Sequence, residues 1–196
     1  ILKYYFKYIK MKILFRTSFL VIIFSIALAS CSKSYDLDFK GIKLGSKLQL
    51  FEKENSDAWV CSAPPRKSIG DDICRPKSTE NMTVAGYPIQ NISLHFFEDK
   101  LYWISIDFNS QHFEGVVEAL KQKYGKGQIN DKIFQPILGN ELKYQTFKWQ
   151  HSNEYIYAEK YTDRISLSGL DYKVNEFDVE FEKRKNEIDG FKSNDL

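Results

Sequence analysis

From Thr83 onward, apolar and polar residues alternate in runs that read as strands. Ile92, Leu94 and Phe96 share one side of a run from Ile89 to Phe97, and Tyr102, Ile104, Ile106 and Phe108 share one side of a run from Leu101 to Phe108. Glu98-Asp99-Lys100 is the turn between them, and a shorter strand is expected over Thr83 to Tyr87. The period then changes. Phe113, Val116, Val117, Leu120 and Tyr124 fall at helical intervals, which predicts a helix from Gln111 to Tyr124 with Ser110 as N-cap and Gly125 as its stop. A loop through Pro136 and Gly139-Asn140 leads to three more expected strands, Leu142 to Gln150, Glu154 to Tyr161 and Arg164 to Leu170. Two helices complete the pattern. Ser46 caps a short one, Lys47 to Asn55, with Leu48 and Phe51 on one face; the other runs from Asn175 to Ile188, with Val174, Phe177, Phe181 and Ile188 at i, i+3, i+7 and i+14. The order predicts an α+β fold of two tandem units, each a helix plus a three-stranded antiparallel sheet, over about 39–108 and 109–172, with a closing C-terminal helix.

The N-terminal pattern is of another kind. Phe19 to Leu28 is a ten-residue apolar stretch, preceded by Met11, Lys12 and Arg16 and followed by Ala29-Ser30-Cys31. Its ten residues rise only about 15 Å as a helix, against a hydrocarbon core of roughly 30 Å, so it is too short to span a membrane. With its cations, apolar segment and small residues before a cysteine, the stretch resembles a bacterial lipoprotein signal peptide, and Leu28-Ala29-Ser30-Cys31 resembles its lipobox. That resemblance implies that residues 1–30 are removed, with Met11 a better start residue than Ile1, and that Cys31 carries the lipid. Residues 31–38 then form a tether and 39–196 a periplasmic domain. Ser32, where an aspartate would signal retention, implies outer-membrane sorting.

Removing that segment changes the charge balance. The chain has 28 Lys and Arg against 26 Asp and Glu, but Lys3, Lys7, Lys10, Lys12 and Arg16 all precede Cys31 and no acid does, which leaves 23 cations against 26 anions. The isoelectric point near 8.3 therefore belongs to the longer chain, and a nucleic-acid partner has no compositional support. With Cys31 assigned to lipid, Cys61 and Cys74 remain as a pair, expected to form a disulfide across a loop of prolines and glycine. A metal site would need further ligands, and His95, His112 and His151 fall in separate elements, so neither metal nor cofactor is expected.

Gly41-Ile42-Lys43-Leu44-Gly45 before the first helix and Ala119-Leu120-Lys121-Gln122-Lys123-Tyr124-Gly125 ending the second resemble the outer-membrane-assembly lipoprotein modules of the BamE or SmpA-like type, and the tandem layout resembles that of β-lactamase-inhibitor proteins. The resemblance implies a protein-binding role. Catalytic constellations are missing: Ser168-Gly169 lies in no nucleophile elbow, no phosphate-binding loop occurs, and Glu98 and Asp99, adjacent in a turn, point apart. His95 and His112 read as partly exposed structural residues. Binding is expected instead at an aromatic strand surface of Trp149, Tyr155 and Tyr157, or at the cysteine-stapled loop with Trp59, Arg66 and Lys67. The expected function is thus a noncatalytic, membrane-anchored module that binds an envelope or foreign protein; the alternative is a cell-envelope hydrolase.

The lipid assignment has a direct test. Labelled palmitate is expected in the wild-type chain and not in Cys31→Ser, and equal labelling of the two would remove the lipoprotein reading.

Overall fold

The computed structural model describes residues 37–66, 69–134 and 142–193, so Cys31 and its lipobox, Lys67, Pro136 and Gly139-Asn140 lie outside the described residues. The strands are β1 (Asp38–Phe39), β2 (Ile42–Lys43), β3 (Trp59–Ser62), β4 (Asp72–Pro76), β5 (Thr83–Val84), β6 (Tyr87–Phe97), β7 (Lys100–Asn109), β8 (Gln128–Phe134), β9 (Leu142–His151), β10 (Glu154–Glu159) and β11 (Leu167–Val174). The helices are α1 (Leu48–Asn55), α2 (Phe113–Tyr124) and α3 (Asn175–Ser193). The α+β class is as expected. The strands form one antiparallel sheet in the order β3-β4-β6-β7-β11-β10-β9-β8, with β5 pairing the start of β6 and β1-β2 a separate hairpin.

Because residues directly opposed on antiparallel strands share a face, the register sorts the side chains in rows. One row reads Leu94, Ile104, Tyr172, Ile156 and Trp149, and the next reads Ile92, Ile106, Leu170, Ala158 and Phe147. All are buried, most of them completely. α2 lies over this apolar face through Phe113, Val116, Val117 and Leu120, with Phe113 and Phe147 ring centroids 6.0 Å apart. α1 adds Phe51, which packs edge-on against Trp59 at 5.4 Å and against Phe96.

Several local expectations change. Ser46 is not the cap of α1: its hydroxyl donates to the Lys43 carbonyl, and Lys47 occupies the cap without a side-chain bond. Asn109 rather than Ser110 caps the turn into α2, accepting from the Gln111 N–H at 2.9 Å, while the Ser110 hydroxyl donates to Ile165. Gly125 does stop α2, at φ 82°, with its N–H on the Lys121 carbonyl. β11 begins later than Arg164, because the Thr162 N–H bonds the Leu167 carbonyl and the Leu167 N–H that of Arg164, which closes a loop over these residues.

Cys61 and Cys74 form the expected disulfide, on the two strands that flank the segment with Pro64, Pro65 and Gly70. They are directly opposed on β3 and β4, with Cα atoms 3.9 Å apart, so the bond staples a two-stranded edge of the sheet. Joint replacement of both by Ala is expected to lower unfolding stability by about 2–4 kcal/mol in urea titrations, and an unchanged midpoint would contradict this role.

Candidate functional site

The sheet's opposite face is polar. Its first row runs Tyr155, Lys173, Trp103, His95 and Ile73; its second runs Lys148, Tyr157, Asp171, Ser105 and Ser93; its third runs Thr146, Glu159, Gly169, Asp107 and Asn91. α3 packs on the first row. Phe177 stands 5.1 Å from Trp103 and 5.8 Å from Phe97, Lys173 Nζ lies 4.9 Å from the Trp103 ring centroid and 5.2 Å from that of Phe177, and the Tyr155 hydroxyl donates to Asp178 at 2.8 Å. Further along the helix, Arg184 pairs with Asp71 at 2.7 Å and rests over the Phe97 ring at 4.6 Å.

His95 sits beneath this contact. Its Nδ1 is 2.9 Å from the Ile69 carbonyl, which only accepts, so Nδ1 carries the proton and donates; Nε2 then accepts from the Ser93 hydroxyl at 2.8 Å. The ring stacks on Trp103 with centroids 3.9 Å apart. It is therefore a buried structural group, not the partly exposed residue expected from alternation. Burial pushes its pKa down to about 4, overriding the Ile69 hydrogen bond, with Arg75 and Lys173 adding to the drop.

The second and third rows keep partial exposure at Tyr157, Lys148, Asp171, Ser105, Glu159 and Asp107. Asp171 is internally satisfied: it accepts from the Trp103 indole at 2.8 Å and pairs with Lys173 at 3.0 Å. Glu159 accepts from the Tyr144 hydroxyl at 2.7 Å and Asp107 from the Asn91 amide at 3.2 Å. Burial raises the pKa of both carboxyls, against those neutral donors and with Asp171 adding repulsion. Burial and the Glu159 contact likewise raise the Tyr144 phenol. Gly169 stands between the two carboxylates, and a Cβ there would come within 3.1 Å of the Glu159 carboxylate.

The residues expected to form one aromatic surface are divided between the faces. Trp149 is opposite Ile156 on the apolar side, 5% exposed, with its indole N–H on the Gly125 carbonyl at 2.8 Å. Tyr155 is on the polar side but also 5% exposed, beneath Asp178 and with Lys148 Nζ 4.1 Å from its ring centroid. Tyr157, one row on, stays half-buried. Trp59 packs on Phe51, while Arg66 is exposed in the segment between β3 and β4. Glu98 and Asp99 are exposed, at φ 47° and 65° in the tight β6–β7 turn, where Asp99 accepts from the Gln49 N–H. Among the described residues no group of three His, Cys, Asp or Glu is placed to hold a metal ion.

Comparison of the chain with protein-family models, with curated proteins and with solved structures finds no match.

The buried imidazole makes stability pH-dependent. The unfolded chain takes up a proton at His95 near pH 6.5, which the folded protein refuses until about pH 4. Its contribution is therefore complete above pH 6.5 and is lost as the pH falls through 4, amounting to about 3 kcal/mol. Urea midpoints between pH 4 and 7 are expected to fall more steeply for the wild type than for His95→Gln. Parallel slopes would show that His95 does not carry the effect.

Proposed function

We propose that this chain is a lipid-anchored, noncatalytic protein of the bacterial envelope that binds another protein through the half-exposed part of its polar sheet face. The observation that supports this reading is the juxtaposition, on two adjacent rows, of Tyr157, Lys148, Glu159, Asp171 and Asp107 on a continuous strand scaffold. Strands hold the backbone beneath these groups at fixed spacing, so no loop has to be ordered on binding. A sheet surface mixing a tyrosine with charges of both signs suits a protein partner better than a small molecule, which needs a concave site to bury most of its area. Tyr157 is the central contact.

The anchor belongs to the same proposal. It rests on Leu28-Ala29-Ser30-Cys31 and the preceding apolar stretch, with an envelope or foreign protein as partner. We read the two halves as tandem units. Each ends in the strand, β7 or β11, that meets the other at the middle of the sheet, which supports the reading.

The hydrolase alternative has one observation in its favour, the raised carboxyls of Glu159 and Asp107 on either side of Gly169. Turnover of a wall fragment or peptide that is lost in Glu159→Gln would establish it over the binding role.

A secreted Cys31→Ser form is expected to capture a stoichiometric partner. Tyr157→Ala is expected to weaken that capture by about 1–3 kcal/mol with little change in melting temperature, whereas Trp149→Ala is expected to cost about 3–5 kcal/mol of folding stability. Capture that survives Tyr157→Ala and is lost with Arg66→Ala would move the site to the disulfide-linked hairpin.

A further inference from the structure

β8 ends the sheet and pairs with β9 alone among the described strands. Its register is unbroken from Gln128 opposite Lys148 to Phe134 opposite Leu142, without proline or bulge, so its outer side is a straight row of backbone donors and acceptors. Edges of this kind are usually shortened, bent or covered, because they template pairing with another strand. Two exposed isoleucines accompany it. Ile129 is 48% and Ile133 72% exposed, and they stand two residues to either side of Asp131 on one face. Asp131 between them is already compensated, by Lys143 at 3.0 Å and the Gln145 amide at 2.9 Å, which together hold its carboxyl below the usual range.

We propose that β8 pairs antiparallel with β8 of a second copy of this chain, with the two-fold axis at Asp131, so that one sheet continues through both molecules. The pattern itself selects the occupant and the register. With the axis at Asp131, Ile129 of each copy meets Ile133 of the other, Asn130 meets Lys132, and the faces of the two sheets stay aligned. The central carboxylates arrive with a Lys143 each, so the junction holds two anions and two cations. Moving the axis to Asn130 or Lys132 sets an isoleucine against Asp131 and breaks both apolar pairs. A foreign strand would have to supply this spacing independently, whereas a second copy brings it by symmetry. The opposite edge, β3, lacks the feature: it has four residues and is stapled to β4 by Cys61–Cys74.

The test uses the full chain in a Cys31→Ser background, which makes it independent of the lipid. Copies carrying Asn130→Cys are mixed with differently tagged copies carrying Lys132→Cys and oxidised with copper phenanthroline. A mixed disulfide dimer is expected, with much less dimer from either variant alone. Ile133→Lys in both copies is expected to abolish it, and Ile129→Lys to do the same; each variant's melting temperature shows that it has folded. Equal dimer from the single variants and the mixture, no dimer in the mixture, or a mixed dimer that survives both lysines would overturn the proposal.

Discussion

Antiparallel pairing of β11 with β7, from Leu167 opposite Asn109 to Lys173 opposite Trp103, joins two strand groups that are distant in the sequence. Once that register is set, strand parity assigns every neighbouring side chain to one face. Ile104, Ile106 and Phe108 then align with Tyr172, Leu170 and Ser168, while Trp103, Ser105 and Asp107 align with Lys173, Asp171 and Gly169. A slip of one residue would turn one of the two strands over relative to the other and set Asp107 or Asp171 on the apolar side. The apolar side therefore holds the register, since its fully buried Ile104, Ile106 and Leu170 admit no charged replacement.

The polar side inherits its geometry from that choice and is finished by α3. Phe177 supplies apolar cover over Trp103, the Arg184 guanidinium lies on Phe97, and Asp178 accepts the hydrogen bond of the Tyr155 hydroxyl, so the helix satisfies polar groups as well as burying rings. His95 is the cost of this arrangement. Its neutral ring is held by Ser93 and Ile69, and acid turns the same position into a buried charge. Beyond α3 the face stays half-exposed, and there Glu159 and Asp107 keep neutral hydrogen-bond donors.

Long strands and amphipathic helices were legible because each has one fully buried side. β6, β7, β9 and β10 follow their alternation, and α2 follows Phe113, Val116, Val117 and Leu120. β8 gave no such signal: Ile129 and Ile133 lie at an edge and stay exposed, so no buried stripe marks the strand. β3 and β4 are short, and their strongest cue was the spacing of the cysteines, which reads equally well as a loop. The displacement of β11 was recoverable, since Leu170, Tyr172 and Val174 alternate, but the turn at 162–167 depends on backbone bonds that composition does not show. The candidate site was legible only at Tyr157. Partition of Trp149 and Tyr155 required the register of the β9–β10 hairpin, which sets Trp149 opposite Ile156, and the placement of α3, which is long-range; the row of Asp107, Gly169 and Glu159 joins β7 to β10 and β11, which follow it only after α2, β8 and β9.

Binding through the second and third polar rows is the central claim, and hydroxyl-radical footprinting of the captured complex tests it most directly. Partner binding is expected to protect Tyr157 and Tyr144, leaving the oxidation of Leu50 and of the β3–β4 segment around Arg66 unchanged. Protection confined to Leu50 or to that segment, with Tyr157 and Tyr144 as reactive as in the free protein, would contradict it.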